Sequence, residues 1–176
     1  MRKSMCVMVF LAALFVLTPS VFAAPLGIRE ITIGMSKEEV VDALENHKGA
    51  RCYDDYNYCQ ESTWIKRGAQ VTYFFGKHKQ KLTSIHIRFL SKFSDVMLEG
   101  LVEKYGKPTK TFTETWQNRA GAAFDNNVST WVTPDGAITI KVHGEDFNDG
   151  EISMVGKITD EEISTQKEKD KSLPGF

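Results

Sequence analysis

Three groups of residues in this chain are of types that do chemistry. The first is Arg51-Cys52-Tyr53-Asp54-Asp55-Tyr56-Asn57-Tyr58-Cys59, in which two cysteines bracket a polar and aromatic run. Such a pair can act as a redox couple, clasp a metal or close a covalent staple. A redox pair uses Cys-x-x-Cys with a helix N-terminus to stabilise the thiolate; here the spacing is wider and the flank is not helical. Zinc needs two more ligands, and His47, His78, His86 and His143 show no paired spacing with the cysteines. The residues favour the staple, a Cys52–Cys59 disulfide, worth roughly 2 to 3 kcal/mol for so small a ring.

The second group is the run from His143 to Glu151, where Glu145, Asp146, Asn148, Asp149 and Glu151 offer oxygen donors of the kind calcium takes. Their order departs from the Asp-x-Asn-x-Asp-Gly spacing of a calcium loop. A solvated hairpin turn with Gly144 and Gly150 at its ends is the simpler expectation. His86 and His143 fall on the polar-leaning sides of strands, as cross-strand or surface histidines do.

The third group is aromatic. Tyr53, Tyr56 and Tyr58 sit within the staple, Trp64 follows it, and Trp116 and Trp131 lie further on. A tyrosine on a short rigid loop loses little freedom on binding and presents an apolar body with a polar tip. Tyr53, Tyr56, Tyr58 and Trp64 are therefore the candidate partner-binding residues, while core covering is the commoner use of a tryptophan. No nucleophile elbow, His-Glu-x-x-His, phosphate loop or dinucleotide fingerprint occurs, so catalytic residues, a cofactor and a resident metal are not expected.

The N-terminus points to a compartment in which a disulfide would form. Met1-Arg2-Lys3 is a short basic segment, Cys6 to Leu17 is apolar, and Thr18-Pro19-Ser20-Val21-Phe22-Ala23 ends on small residues. That pattern reads as a secretory signal peptide over residues 1–23, cleaved after Ala23. The apolar run is shorter than the ~20 residues of a spanning helix, so no stable membrane insertion is expected after cleavage. The remaining chain carries 20 basic and 23 acidic residues, without a basic face to hold nucleic acid. Periplasmic or secreted localisation follows, and with it oxidised cysteines.

Local patterns give the elements that position these groups. Ser36 and Glu39 form a capping box, and Val40, Val41, Ala43, Leu44 and His47 recur at helical spacing after it. Val71, Tyr73 and Phe75, then Ile85, Ile87 and Phe89, alternate as two strands of a hairpin, with Ser62 to Gly68 as a preceding strand. A second helix carries Phe93, Val96, Met97, Leu101 and Tyr105 in one stripe and ends at Gly106 and Pro108. Gly100 inside it suggests close packing against a neighbour. Further strands are expected around Trp116, Trp131, Ile140 and Met154, with a turn at Thr133-Pro134-Asp135-Gly136.

The expected fold is thus α+β: two tandem helix-then-antiparallel-meander units, about 28–90 and 91–158, with helices packed on one face of a sheet. Residues 159–176 are expected to be a mobile charged tail.

Gly34-Met35-Ser36-Lys37 with Val40 and Leu44 resembles the Gly-Met-Ser/Thr helix entry of the outer-membrane assembly lipoproteins of the SmpA/OmlA (BamE) type. Their Leu-Gly-x-Pro ending has its counterpart in the second half, at Lys104-Tyr105-Gly106-Lys107-Pro108. A doubled helix-plus-antiparallel-sheet unit is also similar to that of the secreted β-lactamase inhibitor proteins. The expected function is that of a non-enzymatic periplasmic protein that binds another envelope or secreted protein through its sheet face or the stapled aromatic loop; an assembly accessory or an inhibitor-like binder would both fit. The alternative expectation is a module that holds a small ligand or metal in the cleft between the two halves.

Overall fold

The computed structural model describes residues 24–47, 49–62, 68–76, 80–117, 121–144 and 146–157. The expected leader, the expected tail and Trp64 lie outside them. Two short strands, β1 (Gly27–Ile28) and β2 (Ile31–Thr32), pair with each other and precede helix α1 (Lys37–Leu44). Then come β3 (Ala50–Tyr53), β4 (Tyr58–Glu61), β5 (Gln70–Phe75) and β6 (Leu82–Leu90). Helix α2 (Ser94–Tyr105) leads to β7 (Lys110–Gln117), β8 (Ala123–Thr133), β9 (Gly136–Lys141) and β10 (Asp149–Gly156).

The expectation of two tandem helix-then-meander units is overturned. The chain is mostly antiparallel sheet: one eight-stranded sheet in the order β3-β4-β5-β6-β10-β9-β8-β7, the small β1-β2 sheet, and two helices among the described residues. The reason lies in β6 and β10, which pair from Leu90↔Asp149 to Ser84↔Val155 and fuse both halves into a single ladder. The cysteine segment is a two-stranded hairpin at one edge of that sheet. Of the strand expected at Ser62 to Gly68, residues 63–67 lie outside the described residues; β5 takes β4 as its neighbour.

Alternation places one face of the sheet in the core. Cys59, Val71, Tyr73, Phe75, Ile85, Ile87, Phe89, Ile138, Ile140, Ile152 and Met154 are buried together with Val40 and Leu44 of α1 and Leu101 of α2. This face is where most of the hydrophobic stabilisation resides. The capping box forms as expected: Ser36 Oγ accepts from the Glu39 N–H at 3.2 Å, and Glu39 Oε2 accepts from the Ser36 N–H at 2.7 Å. Helix α1 nevertheless ends at Leu44, so His47 lies past it in the connection to β3.

In α2 the inward residues include Leu101, Met97, Leu98 and Tyr105, whereas Val96 is exposed. Among the described residues Gly100 has open space where a Cβ would stand, so they do not supply the close packing expected there. Tyr105 ties the helix end to the N-terminal hairpin, its hydroxyl donating to the Gly27 carbonyl at 2.9 Å. Trp131 is a core residue, its Nε1–H donating to the Gly106 carbonyl at 2.8 Å. No helix among the described residues is long and apolar enough to cross a membrane.

Candidate functional site

Part of the sheet face opposite the core is exposed, although Val128 and Asn126 at its β8 side are buried, and its composition follows from register. Directly opposed residues of neighbouring strands share a face. Pairing therefore lines up Tyr53, Tyr58, Phe74, Ser84, Val155, Ala137 and Val132 across seven strands. Beside this mostly apolar row runs a polar one through Gln60, Thr72, His86, Ser153, Thr139 and Thr130. A third row carries Gln70, Arg88, Glu151 and Lys141, with charges that alternate in sign. Large apolar side chains are exposed along the first row: Val132 is 72% exposed, Val155 44% and Phe74 37%.

The stapled hairpin stands at one end of that row. Cys52 and Cys59 are directly opposed and disulfide-bonded, and they lie on the core side because Cys59 pairs with buried Tyr73. Alternation then sends Tyr53 and Tyr58 to the open side, with ring centroids 4.9 Å apart. Tyr56, in a 3-10 turn at the tip, is 70% exposed. From it the rings continue inward: Tyr56 to Tyr58 at 6.2 Å, Tyr58 to Phe74 at 6.0 Å, and Phe74 edge-on to His86 at 5.2 Å. The left-handed Asn57 closes the turn, its carbonyl accepting from the Phe75 N–H at 2.9 Å.

At the seam between β6 and β10 the open face holds a groove of about 300 Å³, lined by Gln60, Thr72, Phe74, His86, Arg88 and Glu151 among others. Glu151 Oε1 lies 3.4 Å from His86 Nδ1, and Gln60 donates to Thr72 Oγ1 at 3.3 Å. Close approach of β10 to β6 is made possible by Gly150: a Cβ there would stand 2.4 Å from the Phe89 ring. Of the acidic run after β9, Asp146 and Asn148 lie in the β9–β10 connection, closed by Gly144 N–H to Asp149 O at 2.6 Å; Asp149 and Glu151 belong to β10, and Glu145 lies outside the described residues. His143 sits in that connection, stacked on Phe147 at 4.3 Å, outside any strand. Among the described residues no three of His, Cys, Asp and Glu converge as a metal shell would require.

On the core side a polar cluster fixes the base of the hairpin. Glu61 of β4 is 2% exposed. Its carboxylate accepts from Arg29 Nη1 and from the Tyr73 hydroxyl, each at 3.4 Å, and lies 3.4 Å from His47 Nδ1. Arg29 comes from the β1–β2 turn, where its φ is +49°, and His47 Nε2 meets Glu30 at 3.2 Å. Burial, and then the neighbouring Glu61 charge, hold the Tyr73 phenol well above its ordinary value.

The fold therefore retains neutral Tyr73 while the unfolded chain ionises at about pH 10. This contribution to stability is complete below that pH and is lost as pH rises towards the elevated folded value. In an alkaline titration, the phenolate absorbance that wild type shows and Tyr73→Phe lacks is expected to appear only above the ordinary phenol range. A difference already complete near pH 10 would contradict the burial argument.

Sequence reasoning picked out Tyr53, Tyr56 and Tyr58, and the structure brings them together; Trp64 is outside the described residues. It missed Phe74, Val132 and Val155. Their signal was present, because each is a large apolar residue at an outward step of its strand's alternation. It also missed the Arg29, His47, Glu61 and Tyr73 cluster, which depends on contacts between segments far apart in the chain. Compared with known proteins, the chain matches no family model, no curated sequence and no solved structure.

Proposed function

We propose that this protein is a non-enzymatic binder of another envelope or secreted protein, which it holds against the open sheet face and the stapled tyrosine hairpin. The observation that carries the reading is the exposed apolar row beginning at Tyr53 and Tyr58 and ending at Val132. A sheet that buries one face normally turns alternating polar residues outward. Large apolar residues kept out of water at no point of the fold mark a contact surface. The seam groove beside the row offers polar partners for a side chain of the bound protein, and the disulfide keeps the tyrosines ordered before contact. An envelope-assembly accessory and an inhibitor-like binder both suit this surface, and an oxidising compartment suits the disulfide.

A photo-crosslinking residue placed at Tyr56, Phe74 or Val155 is expected to trap one and the same protein in intact cells, whereas a probe at Val96 on α2 traps none. Affinity for that protein is expected to fall about 30-fold when Tyr56 and Tyr58 are both replaced by alanine, as for central aromatic anchors. Equal trapping at Val96, or unchanged affinity, would refute the proposal. The seam groove supports a second reading, a small polar ligand bound at the junction of the two halves. That reading requires a ligand-dependent rise in melting temperature that is lost in Arg88→Ala.

A further inference from the structure

The two edges of the eight-stranded sheet are unlike. β3 is four residues long and disulfide-bonded to its neighbour. β7 is eight residues long and, among the described residues, pairs with β8 alone. Lys110, Thr111, Phe112, Thr113, Thr115 and Gln117 are all exposed, so burial in the chain's own core does little to hold this strand. Its sequence, Lys-Thr-Phe-Thr-Glu-Thr-Trp-Gln, is rich in strand formers and has neither proline nor glycine. Natural proteins seldom leave so long an edge uncovered, because its free N–H and C=O groups are a template for another strand.

We propose that β7 joins two copies of this chain edge to edge, antiparallel, about a two-fold axis centred on Phe112. The choice of partner and of register comes from the side chains. Lys110, Phe112 and Glu114 oppose Thr130, Val128 and Asn126 of β8 and therefore share the face opposite the core, on which Val128 and Asn126 are themselves buried. Centred on Phe112, the two-fold sets Lys110 of each copy opposite Glu114 of the other, Phe112 opposite Phe112, and Thr111 opposite Thr113.

Other registers are worse. Slipping one strand by one residue puts open-face residues against core-face residues. Centring on Thr113 leaves Phe112 opposite Glu114, and centring on Glu114 opposes two like charges, which destabilises a cross-strand pair. Glu114 meets Asn126 Nδ2 at 3.1 Å and Lys141 Nζ at 3.2 Å, both through Oε1. Its Oε2 is the oxygen left to meet a cation across the edge. The contact is isologous, so it closes at two copies and does not propagate.

Sedimentation equilibrium on the oxidised chain, from about 1 µM to about 1 mM, is expected to show a monomer–dimer equilibrium in the micromolar range, as an interface of this limited size gives. Lys110→Glu alone and Glu114→Lys alone are each expected to weaken self-association at least about tenfold. Mixed in equal amounts, these two variants restore both opposite-charge contacts and are expected to form a heterodimer with near wild-type affinity. Circular dichroism melts verify that each variant is folded. A wild-type chain that stays monomeric throughout, a dimer insensitive to Lys110→Glu, or a mixture that fails to recover would each overturn the proposal.

Discussion

Glu61→Ala is expected to cost about 2 to 3 kcal/mol, a large loss for a residue outside the apolar core. The carboxylate sits below the surface with three neighbours from three other segments: Arg29 in the β1–β2 turn, His47 after α1, and Tyr73 on β5. Removing it leaves Arg29 and His47 without their shared acceptor and strands the hydroxyl of a fully buried tyrosine. A buried donor without an acceptor costs about 1 to 3 kcal/mol by itself. Glu61→Gln keeps one acceptor oxygen, enough for Arg29 or for Tyr73 but not for both, since they meet different oxygens of the carboxylate; its cost is expected to be smaller than that of Glu61→Ala.

A double-mutant cycle separates these contributions. Tyr73→Phe in the wild-type chain removes one hydrogen bond and is expected to cost about 1 kcal/mol. In the Glu61→Ala background the same substitution removes the stranded hydroxyl and is expected to recover about 1 kcal/mol or more. Urea unfolding of the four proteins measures both numbers. Additive effects, or a Glu61→Ala cost below about 1 kcal/mol, would mean that the cluster is water-filled and loosely held.

The contrast between this cluster and the strands shows which parts of the molecule were legible in the chain. Local periodicity located β5, β6, β9 and β10 because each alternates large apolar residues over a whole strand, as in Val71, Tyr73 and Phe75. The Ser36 and Glu39 cap was equally readable, being a contact between residues three apart. Joining the halves through β6 and β10 was not, since Ile87 and Ile152 meet across 65 positions and nothing local specifies the pair. The same holds for Glu61: a single acid at an inward step of β4 looks like an error of alternation until Arg29, His47 and Tyr73 are placed around it. Gly100 misled for the opposite reason, its cost in helix propensity suggesting a neighbour that the described residues do not supply. The tyrosines of the candidate site were legible because a disulfide ring is a local object; the apolar row they extend into is set by register and is not.

Replacing both Cys52 and Cys59 by serine is expected to lower stability by about 2 to 3 kcal/mol and to lower Tm by roughly 5 to 12 °C. The bond joins the edge strand β3 to β4, and β3 is only four residues long with Arg51 and Cys52 both exposed. Without the bond, little apolar burial remains to keep β3 paired, so the edge is expected to fray before the rest of the sheet unfolds. Amide exchange in 50–59 is then expected to accelerate far more than exchange in β6 or β10. Binding should suffer beyond the change in global stability, because Tyr53, Tyr56 and Tyr58 must then be ordered at the moment of contact. That ordering costs about 0.5 to 1.5 kcal/mol for each side chain immobilised, enough to weaken capture of the crosslinked partner at least tenfold. Mild reduction of the wild-type chain should reproduce both effects, and reoxidation should reverse them. Equal stability and equal affinity in the oxidised and reduced chains would show that the hairpin holds its shape without the bond, and that the tyrosines owe their order to the contacts of Tyr58 with Phe74.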